Sequence, residues 1–425
     1  MVAKDVKLMR EALLAAFQAA VKAVEGDNVT ANWLRENPQA GEVAVIALGK
    51  AAAAMAQGAQ RELGDALHSG LVVTKTGHAD GYVIDRAKLR VCEGAHPLPD
   101  ETSLAGGAAL LEYIEQLPDG IPVLVLISGG ASALVEVLRP GVTLGDLARV
   151  NRWLLANGLP ISQINAVRRR LSRLKGGGLA ELLAGHPVTG LLISDVEGDE
   201  PAVIGSGPLV APDSDALPDG LPDWLLGLLP QVSQATKEPE ESGASMRSAG
   251  ERPDVRVIAT LDHALLAAEQ TLTERGLAVK RYVEHLDGDI VDIAGQIEQA
   301  VNAKSDTVHL WGGEVTVMLP DRPGRGGRNQ QLALHLAQAI AGNTPAVALC
   351  AGTDGTDGPT EDAGGLVDNQ TVYRGETNAL SAAASLRRAD AGTFLEDTGD
   401  LVSTGPTGTN VTDLVMIWRG AAGEP

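Results

Sequence analysis

Aromatic residues make up only 3% of the 425 residues, so any core must be built mainly from Leu, Val, Ile and Ala. Cysteine is scarcer still. Cys92 and Cys350 are the only two, which excludes a disulfide scaffold, and no Cys/His spacing suggests zinc. Each lies beside an apolar run, where Cys usually acts as a small buried hydrophobe. Positive charge is also short: 34 Lys and Arg stand against 55 Asp and Glu, a formal net charge of −21. The basic residues are scattered, which argues against a nucleic-acid sheath. No apolar stretch reaches membrane-spanning length, and the charged start of the chain has no signal-like apolar core. A soluble, cytoplasmic protein is the expectation, with small molecules as partners and neither nucleic acid nor membrane.

What is present is enough to fold. Hydrophobic residues reach 44% and charged residues 21%, as in ordinary globular proteins. The length exceeds one core of usual size, so two domains are expected. Met9, Leu13, Phe17, Val21 and Val24 share a helical stripe near the start. Short apolar runs follow at 43–48, 70–74, 122–127 and 188–193, alternating with helical stretches such as 102–117 and 164–183. Strands buried on both faces and alternating with helices predict a parallel α/β sheet. Residues 211–254 are rich in Pro, Asp, Glu, Ser and Gly, apart from the apolar patch 224–229, and read as a linker. The expected domains are therefore 1–235 and 251–425. In the second, strands are expected at 255–259, 277–283, 307–311, 314–319, 346–350 and 414–418, with helices over 262–275, 290–301 and 328–341.

In open α/β sheets ligands collect beyond the carboxyl ends of the strands. After 122–127 comes Ser128-Gly129-Gly130-Ala131-Ser132, whose glycines could turn several N–H groups toward an anion at a helix start; a plain tight turn explains it equally well. Lys50 follows 43–48 directly, in Gly49-Lys50-Ala51, and could reach phosphate oxygens, although no Walker-type loop surrounds it. Gly324-Arg325-Gly326-Gly327-Arg328-Asn329 places two arginines at a helix start, where the dipole favours negative charge; a bound anion would resolve the conflict. Asp195 and Asp199 follow 188–193, and Asp354 and Asp357 follow 346–350. Carboxylates so placed can hold Mg²⁺ or accept a hydroxyl proton, or simply form Asp-Gly turns. Gly205-Ser206-Gly207-Pro208 and Thr404-Gly405-Pro406-Thr407-Gly408-Thr409-Asn410 add hydroxyls and backbone donors.

With His96-Pro97-Leu98-Pro99-Asp100, Asn165-Ala166-Val167-Arg168, Lys175-Gly176-Gly177 and Gly312-Gly313-Glu314, these strings run in order along nearly the whole chain. Together the chain resembles the glycerate 2-kinase family that carries a MOFRL domain. Departures from the family pattern are Ala131, Arg170, Gly205, Gln331 and Thr412. The resemblance implies a Rossmann-like first domain with a mainly parallel sheet and a MOFRL-type α/β second domain with a mixed sheet, set around a cleft. The first helix is expected to pack on the second domain. The implied reaction is transfer of the γ-phosphoryl group of Mg·ATP to the 2-hydroxyl of D-glycerate, giving 2-phosphoglycerate.

On that basis Lys50, Asp195, Arg325 and Arg328 are the expected catalytic residues. Lys50 would hold phosphate oxygens, Asp195 would orient or deprotonate the hydroxyl, and the arginines would grip carboxylate or phosphoryl group. Ser128, Gly129, Gly130, Ala131, Ser132, Gly205, Ser206, Gly207, Asn329 and Asn410 would bind ATP, and Asp199, Asp354 and Asp357 would bind Mg²⁺. The alternatives are a hydroxypyruvate reductase, disfavoured because no Gly-x-Gly-x-x-Gly follows a strand, and a catalytically silent nucleotide-binding protein. The oligomeric state stays open, a homodimer among the options.

Overall fold

The computed structural model of the chain describes residues 6–157, 159–213, 216–229 and 252–420. The described residues of Val29–Ile258 form one compact unit, and those of Met1–Asn28 with Ala259–Pro425 form a second.

The first unit is built on six strands: β1 (Val43–Leu48), β2 (Leu67–Lys75), β3 (Leu89–Gly94), β4 (Val123–Ile127), β5 (Val188–Ile193) and β6 (Asp254–Ala259). Their order is β3-β2-β1-β4-β5-β6, and the pairings from β3 through β5 are parallel. Every residue of β1 and β4 is buried, as expected of strands covered on both faces. The helix Ala52–Leu63 packs on β1 and β2, and its run of buried small residues, Ala52, Ala53, Ala54 and Ala56, lets it lie close on the sheet. The strand order is that of Rossmann-like sheets, with the chain moving outward in one direction from β1 to β3 and in the other from β4 to β6.

The second unit holds β7 (Val279–Arg281), β8 (Leu286–Asp289), β9 (Val308–Thr316), β10 (Ala346–Gly352), β11 (Gly364–Asp368), β12 (Leu401–Val402) and β13 (Asp413–Arg419). The path is β12-β11-β10-β13-β9-β7, with β8 also beside β9. Pairings along β12-β11-β10-β13-β9 are antiparallel, while β7 and β8 run parallel to β9. The sheet is mixed. The helix Val6–Ala23 packs on the helix Leu261–Glu274 and on β10, burying Met9, Leu13 and Phe17. Arg10 fastens it by ion pairs to Asp368 at 2.7 Å and Asp400 at 2.9 Å.

Several boundaries differ from those read in the sequence. The helix expected over 164–183 is two helices, Ile161–Leu171 and Gly178–Leu182, broken where Gly176 and Gly177 take φ of 61° and 88°. The strands expected at 307–311 and 314–319 merge into β9. β6, assigned from sequence to the second domain, completes the first sheet, because a short strand carries no mark of which sheet it joins. Of the expected linker, residues 230–251 lie outside the described residues, as does the expected end of the first domain at 235. Its apolar patch instead packs into the first unit, where Leu225 and Leu229 join Leu147, Val150 and Leu154. Among the described residues no helix is long and apolar enough to cross a membrane.

Candidate active site

The first sheet changes its direction of progression between β1 and β4, and the carboxyl ends of strands flanking such a switch point form the natural crevice of the fold. Leu48 pairs with Ile127 at that edge, so Gly49-Lys50 and Ser128-Gly129 emerge side by side. The Lys50 N–H donates to Gly129 O at 2.9 Å, and the Gly49 N–H to Val73 O at 3.0 Å. Ser128 is fully buried, and its Oγ accepts the Ala51 N–H at 2.9 Å. Gly49 sits at φ 121°, and a Cβ there would collide with the carbonyl and hydroxyl oxygens of Ser128. Gly130 sits at φ 83°; a Cβ on it would lie 3.1 Å from Lys50 Cγ and 3.3 Å from His96 Cδ2. Lys50 and His96 therefore both border Gly130.

The loop does not offer every amide that its sequence suggests. The Ser128 N–H is taken by Leu48 O at 3.0 Å and the Ala131 N–H by Ser128 O at 3.4 Å. Those two residues are thus struts of the loop. Among the described residues the N–H groups of Gly129 and Gly130 meet no acceptor. The following helix, Ala131–Leu134, is a single turn, so its dipole contributes little. Ser132 Oγ lies 2.9 Å from Ser206 Oγ, which ties this loop to the turn Gly205-Ser206-Gly207, all three at positive φ. That turn also receives the Gly176 N–H on Ser206 O at 3.0 Å and the Gly177 N–H on Gly207 O at 2.7 Å. Gly205, Ser206 and Gly207 are thereby brought to the Ser128–Ser132 loop. Asp195 follows β5, the strand next to β4, and is half-buried. Asp199 lies farther along the same loop at φ 53°.

Beside Gly130 is a hollow of about 190 Å³ lined by His96, Ser132, Glu136, Asn151, Arg168 and Lys175, among others. Lys175 is buried in an ion pair with Glu136, whose Oε1 also accepts from Ser172 Oγ at 2.6 Å and the Val137 N–H at 3.0 Å. Arg168 Nε donates to Asn151 Oδ1 at 2.8 Å. Burial holds the Arg168 guanidinium below its ordinary value, and Glu136 opposes this only in part. The sequence showed the strings around Arg168 and Lys175 but gave them no role; the signal was an arginine near the end of one helix followed by a lysine directly before Gly176-Gly177.

In the second unit the expected anion loop has a different character. Arg328 donates through Nε to Asp413 Oδ2 at 2.6 Å and through Nη2 to Asp413 Oδ1 at 3.2 Å, and Nη1 bonds Glu314. Burial pulls this guanidinium down, but Asp413, Glu314 and Asp357 outweigh it and hold it above its ordinary value. Arg325 pairs with Glu396, and with Asp362 at 3.0 Å. The protein's own carboxylates thus supply the counter-charge that the sequence suggested a bound anion would bring. At the start of the helix Arg328–Ala339, Asp357 accepts the Asn329 N–H at 3.1 Å and the Gln330 N–H at 2.8 Å. Burial pushes the Asp357 carboxyl up to about 7, against the pull of those two amides and Arg328. With both oxygens so engaged it is a helix cap, a poor fit to a metal ligand.

Asp354 Oδ1 accepts from the Thr356 N–H at 2.9 Å and the Thr356 hydroxyl at 3.1 Å. A Cβ on Gly352 would lie 3.2 Å from Asp413 Oδ1 and 3.4 Å from Asp354 Oδ1, so these carboxylates meet beside that glycine. Asn329 is 1% exposed, and neither atom of its side-chain amide has a partner among the described residues. Asn410 is buried nearby in sequence to Thr409, whose hydroxyl is likewise unpartnered. Among the described residues no three metal-ligating side chains converge; Mg²⁺ commonly needs only one or two, with phosphates and water completing its shell.

Two family models match: one described as a domain of unknown function over residues 12–219, and the MOFRL family over residues 307–413. A glycerate 2-kinase of Pyrococcus horikoshii is 33% identical over 441 residues, covering 98% of each chain. A D-glycerate 2-kinase of Thermotoga maritima is 35% identical over 384 residues, covering 88% of this chain and 90% of its own. The chain belongs to the glycerate 2-kinase family. The crystal structure of a glycerate kinase from T. maritima, 31% identical, matches 97% of this chain and 100% of its own with a TM-score of 0.80. Glycerate 2-kinase relatives are not the only kind: a protein of Agrobacterium vitis with the provisional name hydroxypyruvate reductase is 37% identical over 394 residues, covering 89% of this chain and 100% of its own.

Proposed function

We propose that this member of the glycerate 2-kinase family transfers the γ-phosphoryl group of ATP to the 2-hydroxyl of D-glycerate, giving 2-phosphoglycerate. The observation that carries the reading is the cluster of Lys50 with the unengaged N–H groups of Gly129 and Gly130 at the switch point of the first sheet. Phosphoryl transfer asks mainly for positioning and for neutralisation of developing charge. Lys50 and the two amides answer that need as a point charge and fixed dipoles. Asp195, one strand away, is assigned to orient or deprotonate the acceptor hydroxyl. Ser132 and the turn Gly205-Ser206-Gly207 shape the same loop. Asn329 and Asn410 are assigned to nucleotide contacts, the unpartnered amide of Asn329 supporting the first.

Mg²⁺ bound with ATP supplies charge neutralisation at the phosphates. Asp199 fits it best of the three expected ligands, since its carboxylate has no hydrogen bond among the described residues, and Asp354 has one oxygen held by Thr356. Arg325 and Arg328 are assigned to stabilise their own carboxylate neighbours and through them the loops that carry Asn329 and Asp354.

A hydroxypyruvate reductase is the second reading, favoured by the name of the Agrobacterium relatives and by the Rossmann-like strand order. Against it, the turn after β1 reads Gly49-Lys50-Ala51-Ala52 and lacks the glycine fingerprint that admits a dinucleotide pyrophosphate. Parallel assays separate the two: ADP release from Mg·ATP with D-glycerate, and NADH or NADPH oxidation with hydroxypyruvate. Glycerate-dependent ADP release alone is expected; nicotinamide oxidation without ADP release would replace the kinase by the reductase.

A further inference from the structure

We infer that Arg168 holds the carboxylate of the hydroxy-acid acceptor, in the hollow that it lines together with His96, Gly130, Ser132, Asn151 and Lys175. The inference rests on the kinase reading for the identity of the acceptor.

A carboxylate is best recognised by a guanidinium whose two outer N–H edges are free and whose plane is fixed. Arg168 meets both conditions. Its one hydrogen bond among the described residues runs from Nε to Asn151 Oδ1 at 2.8 Å, and Asn151 is itself buried. That bond sets the plane and leaves Nη1 and Nη2 to a bidentate partner. Arg325 and Arg328 differ, since their terminal nitrogens already meet Asp362, Glu396, Asp413 and Glu314.

The charge balance of the hollow points the same way. Lys175 is answered by Glu136, so the two cancel and Arg168 contributes the uncompensated charge. In a chain of net charge −21, one such half-buried cation is a local invitation to an anion. The guanidinium is held below its ordinary value chiefly by burial, as befits a cation whose counter-ion is a ligand.

Size and position complete the case. At about 190 Å³ the hollow is smaller than pockets for drug-sized ligands, roughly 300–1,000 Å³, and suits a short acid. Pro97, Pro99 and Leu147 form its apolar wall. Gly130 lines the hollow and also borders Lys50. An acid anchored at Arg168 therefore presents its hydroxyl end toward the phosphate-binding loop.

The test is binding and turnover of D-glycerate by Arg168→Ala and Arg168→Lys, with Asn151→Leu as a third variant. In R168A and R168K, KM and the calorimetric Kd for D-glycerate rise roughly tenfold to a hundredfold, the loss of a charge-assisted fork, while KM for ATP stays within about twofold, because the lost contact is to the acceptor alone. N151L, which releases the guanidinium plane, raises both by a smaller factor. Should R168A fail to fold, R168K carries the test, since it keeps the charge and loses only the fork. Unchanged glycerate affinity in R168K, or a rise confined to ATP, would overturn the assignment. Wild-type protein that binds D-glycerate with calorimetric dependence on Arg168 but transfers no phosphate would instead defeat the kinase reading and leave this site standing.

Discussion

The Oγ of Ser128 accepts the backbone N–H of Ala51 at 2.9 Å, so one buried bond joins the loop after β4 to the loop after β1. Lys50 lies between them and donates its own N–H to Gly129 O. Removing the hydroxyl in Ser128→Ala leaves the Ala51 N–H without its acceptor, at a cost of about 1–3 kcal/mol. Denaturant unfolding reads the loss directly. Activity is expected to fall further than stability does, because Lys50 and the Gly129 amide lose their common anchor.

Lys50→Ala makes a complementary prediction. The side chain is half-buried at a loop, so the fold should tolerate its removal, whereas kcat/KM should drop roughly a hundredfold or more if the ammonium meets transition-state charge. Steady-state kinetics beside a thermal melt distinguish the two effects. A variant with wild-type turnover would remove Lys50 from the site.

The buried pair of Glu136 and Lys175 gives a third. Glu136→Ala strands an ammonium that is 4% exposed, and breaking one side of a buried pair costs about 3–5 kcal/mol. The double change Glu136→Gln with Lys175→Met should recover much of that loss, and a double-mutant cycle measures how much.

Asp357 supplies a pH dependence. Its folded carboxyl titrates at about 7 against an ordinary 3.8. Below 3.8 both states hold the proton and there is no effect. Between 3.8 and about 7 the unfolded chain releases a proton that the folded chain keeps, so stability falls as pH rises and levels off above about 7. Asp357→Asn cannot titrate, so the stability difference between wild type and variant should shift toward the variant across that window. Chemical unfolding of both proteins at several pH values checks it; a difference independent of pH would contradict it.

The strands that place the site were legible because they are buried on both faces: β1, β4 and β10 are apolar throughout, and Lys50 and Ser128 then follow from position alone. β3 was not, since Arg90 and Glu93 interrupt it and face outward, and β11 opens with Gly364-Gly365, whose composition suggests a turn. The sheet assignment of β6 depends on contacts that no local pattern encodes. Within the site, the anion loop was visible but its spent amides were not. The ion pairs of Arg328 were hidden because Asp413 lies 85 residues away in the chain. The two arginines looked misplaced at a helix start only because the capping carboxylate, Asp357, comes from a different loop. Arg168 was hidden for a similar reason: its helix ends at Leu171 rather than continuing to 183, so the turn that carries Lys175 comes back to the same hollow.

Phosphorus NMR of the product formed from Mg·ATP and D-glycerate bears most directly on the function. The signal of 2-phosphoglycerate growing with that of ADP is the predicted result. No ADP above background with D-glycerate or other short hydroxy acids would contradict the account.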